Sequence, residues 1–159
     1  MEPVPLIFRF YIYGIQGFCD EVVFTAAKRF YRTGDWKLEG DSSISSFFIY
    51  GCMSLFLERL YVFFYYKHGL KWYFRLPLYT LFIYTWEHLT GSILRLFDAC
   101  PWDYSHHTYN LHGLITMYYA PCWMFLGFLQ DMLSDVLLRA RISTSNGAPI
   151  LHADEHRNE

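Results

Sequence analysis

Three glutamates sit where this chain otherwise writes apolar residues: Glu21 in "YGIQGFCDE", Glu58 in "YGCMSLFLE" and Glu87 in "YTLFIYTWE". In each stretch a tyrosine (Tyr13, Tyr50 or Tyr79) precedes the glutamate by eight residues. On an α-helix this is a little over two turns and roughly 80° of rotation, which puts hydroxyl and carboxylate on neighbouring faces. With 14 tyrosines in the chain some recurrence is coincidence, so the glutamates are the stronger half of the pattern. A carboxylate in an apolar segment must find a partner or be protonated, because charge at mid-membrane depth costs about 2.5 to 3.5 kcal/mol on insertion scales. The partners suggested by position are Arg59 beside Glu58, Asp131 at a similar level in the last apolar run, and Arg95 within side-chain reach of Glu21. His88 follows Glu87, is turned by about 100° on the helix, and faces either the same interior or a neighbouring helix. Two roles stay open for this set. It ties helices together through buried polar contacts, or its carboxylates line a polar cavity for a cation, a proton or a lipid headgroup.

A second dense stretch, "DACPWDYSHH" from Asp98 to His107, holds Cys100, Pro101, Trp102, Asp103 and Tyr104. No pair among Cys100, Asp103, His106, His107 and His112 has the spacing of a familiar zinc motif, and no metal or other cofactor is implied. Pro101 and the Asp103 side chain are suited to a tight turn, with Trp102 and Tyr104 as anchors at a membrane surface.

The elements that must position these groups are long and apolar. The chain of 159 residues is 53% hydrophobic and 21% aromatic with only 18% charged residues, richer in apolar and poorer in charged side chains than an ordinary soluble domain. Mean hydropathy is only +0.11, because tyrosines score as nearly polar and the end of the chain is hydrophilic. Four apolar runs, at about 6–30, 45–66, 76–97 and 111–138, each have roughly the 20 residues that cross a bilayer. The expected fold class is all-α, a polytopic membrane four-helix bundle in one domain over 1–141, followed by a flexible hydrophilic tail at 142–159. A soluble amphipathic bundle would repeat charges along one face of every helix, and "FIYGCMSLFLERLYVFFYY" carries only Glu58 and Arg59.

Local signals set the boundaries. Pro77 suits the start of the third run, Ser45 the start of the second, and Pro121 should kink the fourth by freeing the Met117 carbonyl. Gly14, Gly17, Gly51, Ser54, Gly91 and Gly127 let helices approach closely. Trp36, Trp72, Tyr73 and Tyr109 fall near run ends, as an interfacial belt does. The first run lacks a basic start and a small-residue cleavage pattern and is too long for a signal core, so it is expected to remain in the chain. Three of the four cysteines, Cys19, Cys52 and Cys122, lie inside apolar runs, which argues against a disulfide framework.

Four spans place both termini and the middle loop on one side. That side holds Arg9, Lys67, Lys71, Arg75, Arg139 and Arg141, against Lys28, Arg29, Arg32, Lys37 and Arg95 opposite. The small excess puts both termini in the cytosol. A net charge of −2 gives no sign of a nucleic-acid partner.

"FIYG" at Phe48, "ER" at Glu58, "FTAA" at Phe24, "GLIT" at Gly113 and above all "YTWEHLTGSILRLFDACPWDYS" from Tyr84 to Ser105 closely resemble the transmembrane protein 229 family. These are small multi-pass animal proteins whose bacterial relatives carry ABC-transporter permease-like labels. The likeness runs from about Tyr11 to Arg141. It implies a multi-pass membrane protein and brings no established catalytic residue with it. The chain has no G-x-x-x-x-G-K-[ST] segment, so a nucleotide hydrolase would be a separate partner.

Three functions compete. The first is a non-enzymatic membrane module that acts through lipids, partner proteins or a second copy of itself. The second is a transport subunit with Glu21, Glu58 and Glu87 along a polar pathway, which needs an oligomer because four short helices enclose little space. The third is a lipid-acting enzyme with Glu87 or Asp103 as general acid or base; it lacks a recognisable catalytic motif.

Overall fold

The computed structural model describes residues 1–142, and the tail expected at 142–159 lies outside them but for its first residue. The described chain contains four α-helices: α1 Leu6–Thr33, α2 Ile44–Tyr61, α3 Trp72–Arg95 and α4 Ala120–Arg139. Pro3 and Pro5 keep the chain extended before α1. Gly34 ends that helix in the left-handed region, at φ 68°, with its N–H bonded to the Phe30 carbonyl at 2.8 Å. Ser43 is the residue before α2, two positions ahead of the expected Ser45. The end of α2 widens into a π-helical turn, Val62–Lys67, and Gly69 reverses the chain at φ 62°.

Two proline expectations are corrected. Helix α3 begins one turn before Pro77, so this proline lies inside the helix and leaves the Tyr73 carbonyl without its usual donor. Pro121 stands in the first turn of α4 and starts the helix instead of kinking it. The reason is that 111–119, read as helix in the sequence, forms other structure. Strands β2 Asn110–Leu111 and β3 Ile115–Thr116 make a hairpin, whose turn holds His112 and Gly113 at φ 53° and 67°, and Met117–Tyr119 is a 3₁₀ turn. A side chain at Gly113 would meet Asp103 Oδ1 at 2.7 Å. Helix α4 keeps 20 residues, about 30 Å at the helical rise.

Helices α1 and α2 pack antiparallel along their length: Arg9 lies by Glu58, Gly14 by Phe47 and Glu21 by Ser42. The glycines of "YGIQG" are required by this seam. A Cβ on Gly17 would lie 2.2 Å from the Cβ of Tyr50. Helix α3 packs on α4, and α2 touches both. The apolar core gathers Leu57, Tyr61, Tyr79, Ile83 and Trp123 between α2, α3 and α4. At one end the short strands β1 Glu2–Pro3 and β4 Arg141–Ile142 pair antiparallel, bringing the first residues and the end of α4 together.

Among the described residues one helical segment, Ile44–Lys67, is long and apolar enough by composition to cross a membrane. The sequence expectation was four. The other three helices carry ionisable groups inside otherwise apolar runs, such as Arg75, Glu87 and Arg95 in α3.

Candidate functional site

The eight-residue spacing acquires meaning from the directions of the helices. Eight residues rise about 12 Å, so each tyrosine and its glutamate occupy two levels of the bundle. Because α2 runs against α1, Glu58 lies at the level of Tyr13 and Tyr50 at the level of Glu21. No tyrosine serves its own glutamate.

At the first level every carboxylate has an arginine and a tyrosine. Glu58, 1% exposed, accepts a hydrogen bond from Tyr13 Oη at 2.8 Å, and Arg9 Nε lies 3.2 Å from it, with its N–H not aligned for a hydrogen bond. Tyr13 also donates weakly to Ser134, at 3.3 Å, and Gln130 reaches the same hydroxyl at 3.1 Å. Asp131 is held by both forks of Arg75, Nε at 2.9 Å and Nη2 at 2.6 Å, and accepts from Tyr79 Oη at 2.8 Å. The remaining Arg75 donor meets the Leu70 carbonyl, and the guanidinium lies over the rings of Tyr61 and Tyr65, with centroids 5.3 and 5.0 Å away. Asp135 accepts from Tyr61 at 2.6 Å and from Arg139 at 2.8 Å. The π-helical turn belongs to this clamp, since it follows Tyr61 and carries Tyr65.

The second level is built differently. A cavity of about 150 Å³ lies among the four helices and the loop after α3. Glu87 is 5% exposed, and its Oε2 has no hydrogen-bond partner among the described residues. Among the described residues Glu21 accepts only from Ser42 Oγ, at 2.7 Å, and Asp20 only a long contact from Gln16, at 3.4 Å. Lys28 is, among the described residues, the one basic side chain on the lining, against the carboxyls of Asp20, Glu21, Glu87 and Asp103. Its ammonium rests on the ring of Tyr104, 5.7 Å from the centroid.

The loop "DACPWDYS" roofs this cavity. Asp103 makes the expected tight turn, accepting from the backbone N–H and the hydroxyl of Ser105 at 3.1 and 2.8 Å. These bonds hold its carboxyl below the usual carboxylate range, helped by Arg95. Tyr104 is 5% exposed and lines the cavity with Pro101 and Trp102; burial raises its phenol above the ordinary value. Trp102 donates its indole N–H to the Leu114 carbonyl at 3.2 Å. The surface anchors expected of Trp102 and Tyr104 are therefore walls, because the hairpin covers them. Cys100 donates to the Trp102 carbonyl at 3.3 Å.

Several expected partners are elsewhere. Arg59 is exposed and pairs with nothing among the described residues, because its position beside Glu58 turns it about 100° away from the bundle. Arg95 lies 3.5 Å from Asp103 and donates to the His112 carbonyl, bound to the loop instead of Glu21. His88 turns away from the cavity and meets His112, Nε2 to Nδ1, at 3.1 Å. Asp131 pairs with Arg75, not with Glu58's surroundings. Among the described residues no three of His, Cys, Asp and Glu are placed to hold a metal ion. The residues missed in the sequence are Arg9, Arg75 and Lys28, counted there only as charges flanking spans, and Gln130; Tyr50 was singled out there only for its spacing from Glu58. A signal for Arg75 was present: Trp72 to Phe74 extend the apolar run before it.

The family model described as "Putative ABC-transporter type IV" matches residues 8–148, nearly the whole chain. The chain belongs to this family. Both the clamp and the cavity fall within the matched residues, so the ABC-transporter type IV segment carries the whole site. No solved structure matches the chain. The likeness to bacterial ABC-transporter relatives is thereby supported; the narrower transmembrane protein 229 resemblance rests on the motifs quoted above.

Proposed function

We propose that all four helices cross a lipid bilayer and that the protein is a non-enzymatic, ligand-binding membrane component of a transport assembly. The observation that carries the membrane reading is an inverted surface. Glu58, Arg75, Glu87 and Asp131 are buried, while Phe8, Phe48, Phe56, Leu81, Phe125 and Val136 are each more than half exposed. Water on that surface would be costly, and hydrocarbon is its natural solvent. The helices have 28, 18, 24 and 20 residues, and α2 continues through the π-helical turn, enough for a core of about 30 Å. Pairing of β1 with β4 supports termini on one side, which we assign to the cytosol from the excess of Lys and Arg there. The family's description supports a transport role, and an unmatched carboxylate facing a cavity favours it over a purely structural one. The nucleotide-hydrolysing partner would be a separate chain, and a homo-oligomer supplies the pathway that one bundle is too small to enclose.

The enzyme reading keeps one observation: Glu87 and Asp103 line one cavity, as an acid and base acting on a headgroup must. Among the described residues no histidine or cysteine lines it to serve as nucleophile or relay.

The native cysteines provide the test. Cys19 and Cys52 are exposed on α1 and α2, and Cys100 is half-buried in the loop. In intact cells a membrane-impermeant maleimide is expected to label Cys100 and to spare Cys19 and Cys52 until denaturant is added. Labelling of Cys19 and Cys52 without denaturant defeats the four-span reading; labelling of Cys100 only in opened cells reverses the orientation.

A further inference from the structure

The membrane-module reading leaves the occupant of the cavity unnamed. Resting on that reading, we propose that the cavity at the second level binds an organic ammonium group, seated between the Glu87 carboxylate and the aromatic walls. Glu87 is the decisive residue: buried, turned into the cavity and, among the described residues, without a partner for Oε2. A carboxylate so placed calls for a cation or a donor. No group among the described residues lies within hydrogen-bond reach of Oε2, whereas the clamp supplies an arginine to each of its own three carboxylates.

Three features select the class of cation. The space of about 150 Å³ is many times what one water or a bare ion fills. The donor set suits no metal ion among the described residues. The walls include Tyr50, Trp102, Tyr104 and Trp123, and aromatic faces with a nearby carboxylate are the surroundings in which alkylammonium groups are held. Tyr104 already shows the preference, because the Lys28 ammonium lies on its ring. Glu21 and Asp20 add negative charge on the α1 side. The ammonium could belong to a free amine or to a phospholipid headgroup; the recognition chemistry is the same.

The experiment uses the full chain in nanodiscs of phosphatidylglycerol, which carries no amine. Choline and ethanolamine are titrated while the fluorescence of Trp102 and Trp123 is followed, with 3,3-dimethylbutan-1-ol as the neutral isostere of choline. Saturable quenching by at least one ammonium probe is expected, with the isostere weaker by at least about tenfold. Glu87→Gln is expected to lose about tenfold or more, and Glu39→Gln, on the exposed first loop, nothing. Should Glu87→Gln not fold, Glu21→Gln serves, with a smaller loss in the same direction. Repeating the titration in phosphatidylethanolamine or phosphatidylcholine nanodiscs separates the sources: competition by the lipid marks a headgroup site, and unchanged affinity marks a free amine site. Equal binding of choline and its isostere, no binding of either ammonium probe, response to potassium or calcium alone, or unaltered binding by Glu87→Gln overturns the proposal. None of these outcomes bears on the cysteine labelling, so the two readings fail separately.

Discussion

The clamp and the cavity are built from the same kinds of residue, about 12 Å apart along the same helices, and they end in opposite electrostatic states. In the clamp Glu58, Asp131 and Asp135 each meet one arginine and one tyrosine. In the cavity Asp20, Glu21 and Glu87 have no basic side chain in salt-bridge contact among the described residues, and Lys28 on the same lining rests on Tyr104. The difference lies in where the guanidiniums are. Arg9, Arg75 and Arg139 all stand near the end of the bundle where β1 meets β4 and the α2–α3 turn lies, and a side chain of that length does not reach the second level. Saturated charges fix helices relative to one another; an unsaturated one is left to meet something that is not part of the chain. On the function proposed above, the clamp serves structure and the cavity serves binding.

The largest expected effect tests the clamp. Asp131→Ala strands Arg75, whose side chain is 5% exposed, and should cost about 3 to 5 kcal/mol of unfolding free energy in detergent. Replacing both partners, Asp131→Leu with Arg75→Met, should recover most of that loss, since two apolar groups leave no unpaired charge. A double variant as unstable as the single one would mean that the pair is not the source of the stability.

A smaller effect, with the opposite tendency, belongs to the cavity. Glu87→Gln replaces a buried carboxyl whose Oε2 has no hydrogen-bond partner among the described residues, and stability should change by less than about 1 kcal/mol or rise. If it falls as far as in Asp131→Ala, the contrast between the two regions collapses.

The smallest effect concerns the roof of the cavity. Burial, His106 and Lys28 lower the proton affinity of His107 below the ordinary histidine value, and its ring stacks on Tyr118 at 4.8 Å. The folded state therefore prefers the neutral ring. The unfolded chain binds more protons as pH falls through about 6.5, so this contribution is present above that value and lost below it. A modest fall in thermal midpoint between pH 7.5 and 5.5 is expected, flattened in His107→Phe. A rise on acidification would reverse the sign assigned to this ring.

Much of the helical content was legible because apolar length is a local property: the first three runs were placed to within a few residues at most of their ends. The fourth was misjudged at its start. "LHGLITMYY" is apolar enough for helix, but His112 and Gly113 turn the chain and Thr116 Oγ1 binds the Tyr109 carbonyl at 3.1 Å, which makes a hairpin. Asp103 was readable because its turn closes within two residues. Arg95 was not, because its partners Asp103 and His112 come from the loop and not from the helix opposite.

Sequence alone determined that this chain forms long apolar helices and that the acidic side chains inside them need a partner or a polar surrounding, since the cost of leaving a lone charge among apolar groups is a property of the group itself. Tertiary structure alone decided which acid meets which base. Pairing depends on the direction and rotation of neighbouring helices, and the antiparallel run of α2 exchanges the two levels, giving Glu58 to Tyr13 and Arg9 while leaving Glu87 opposite open space.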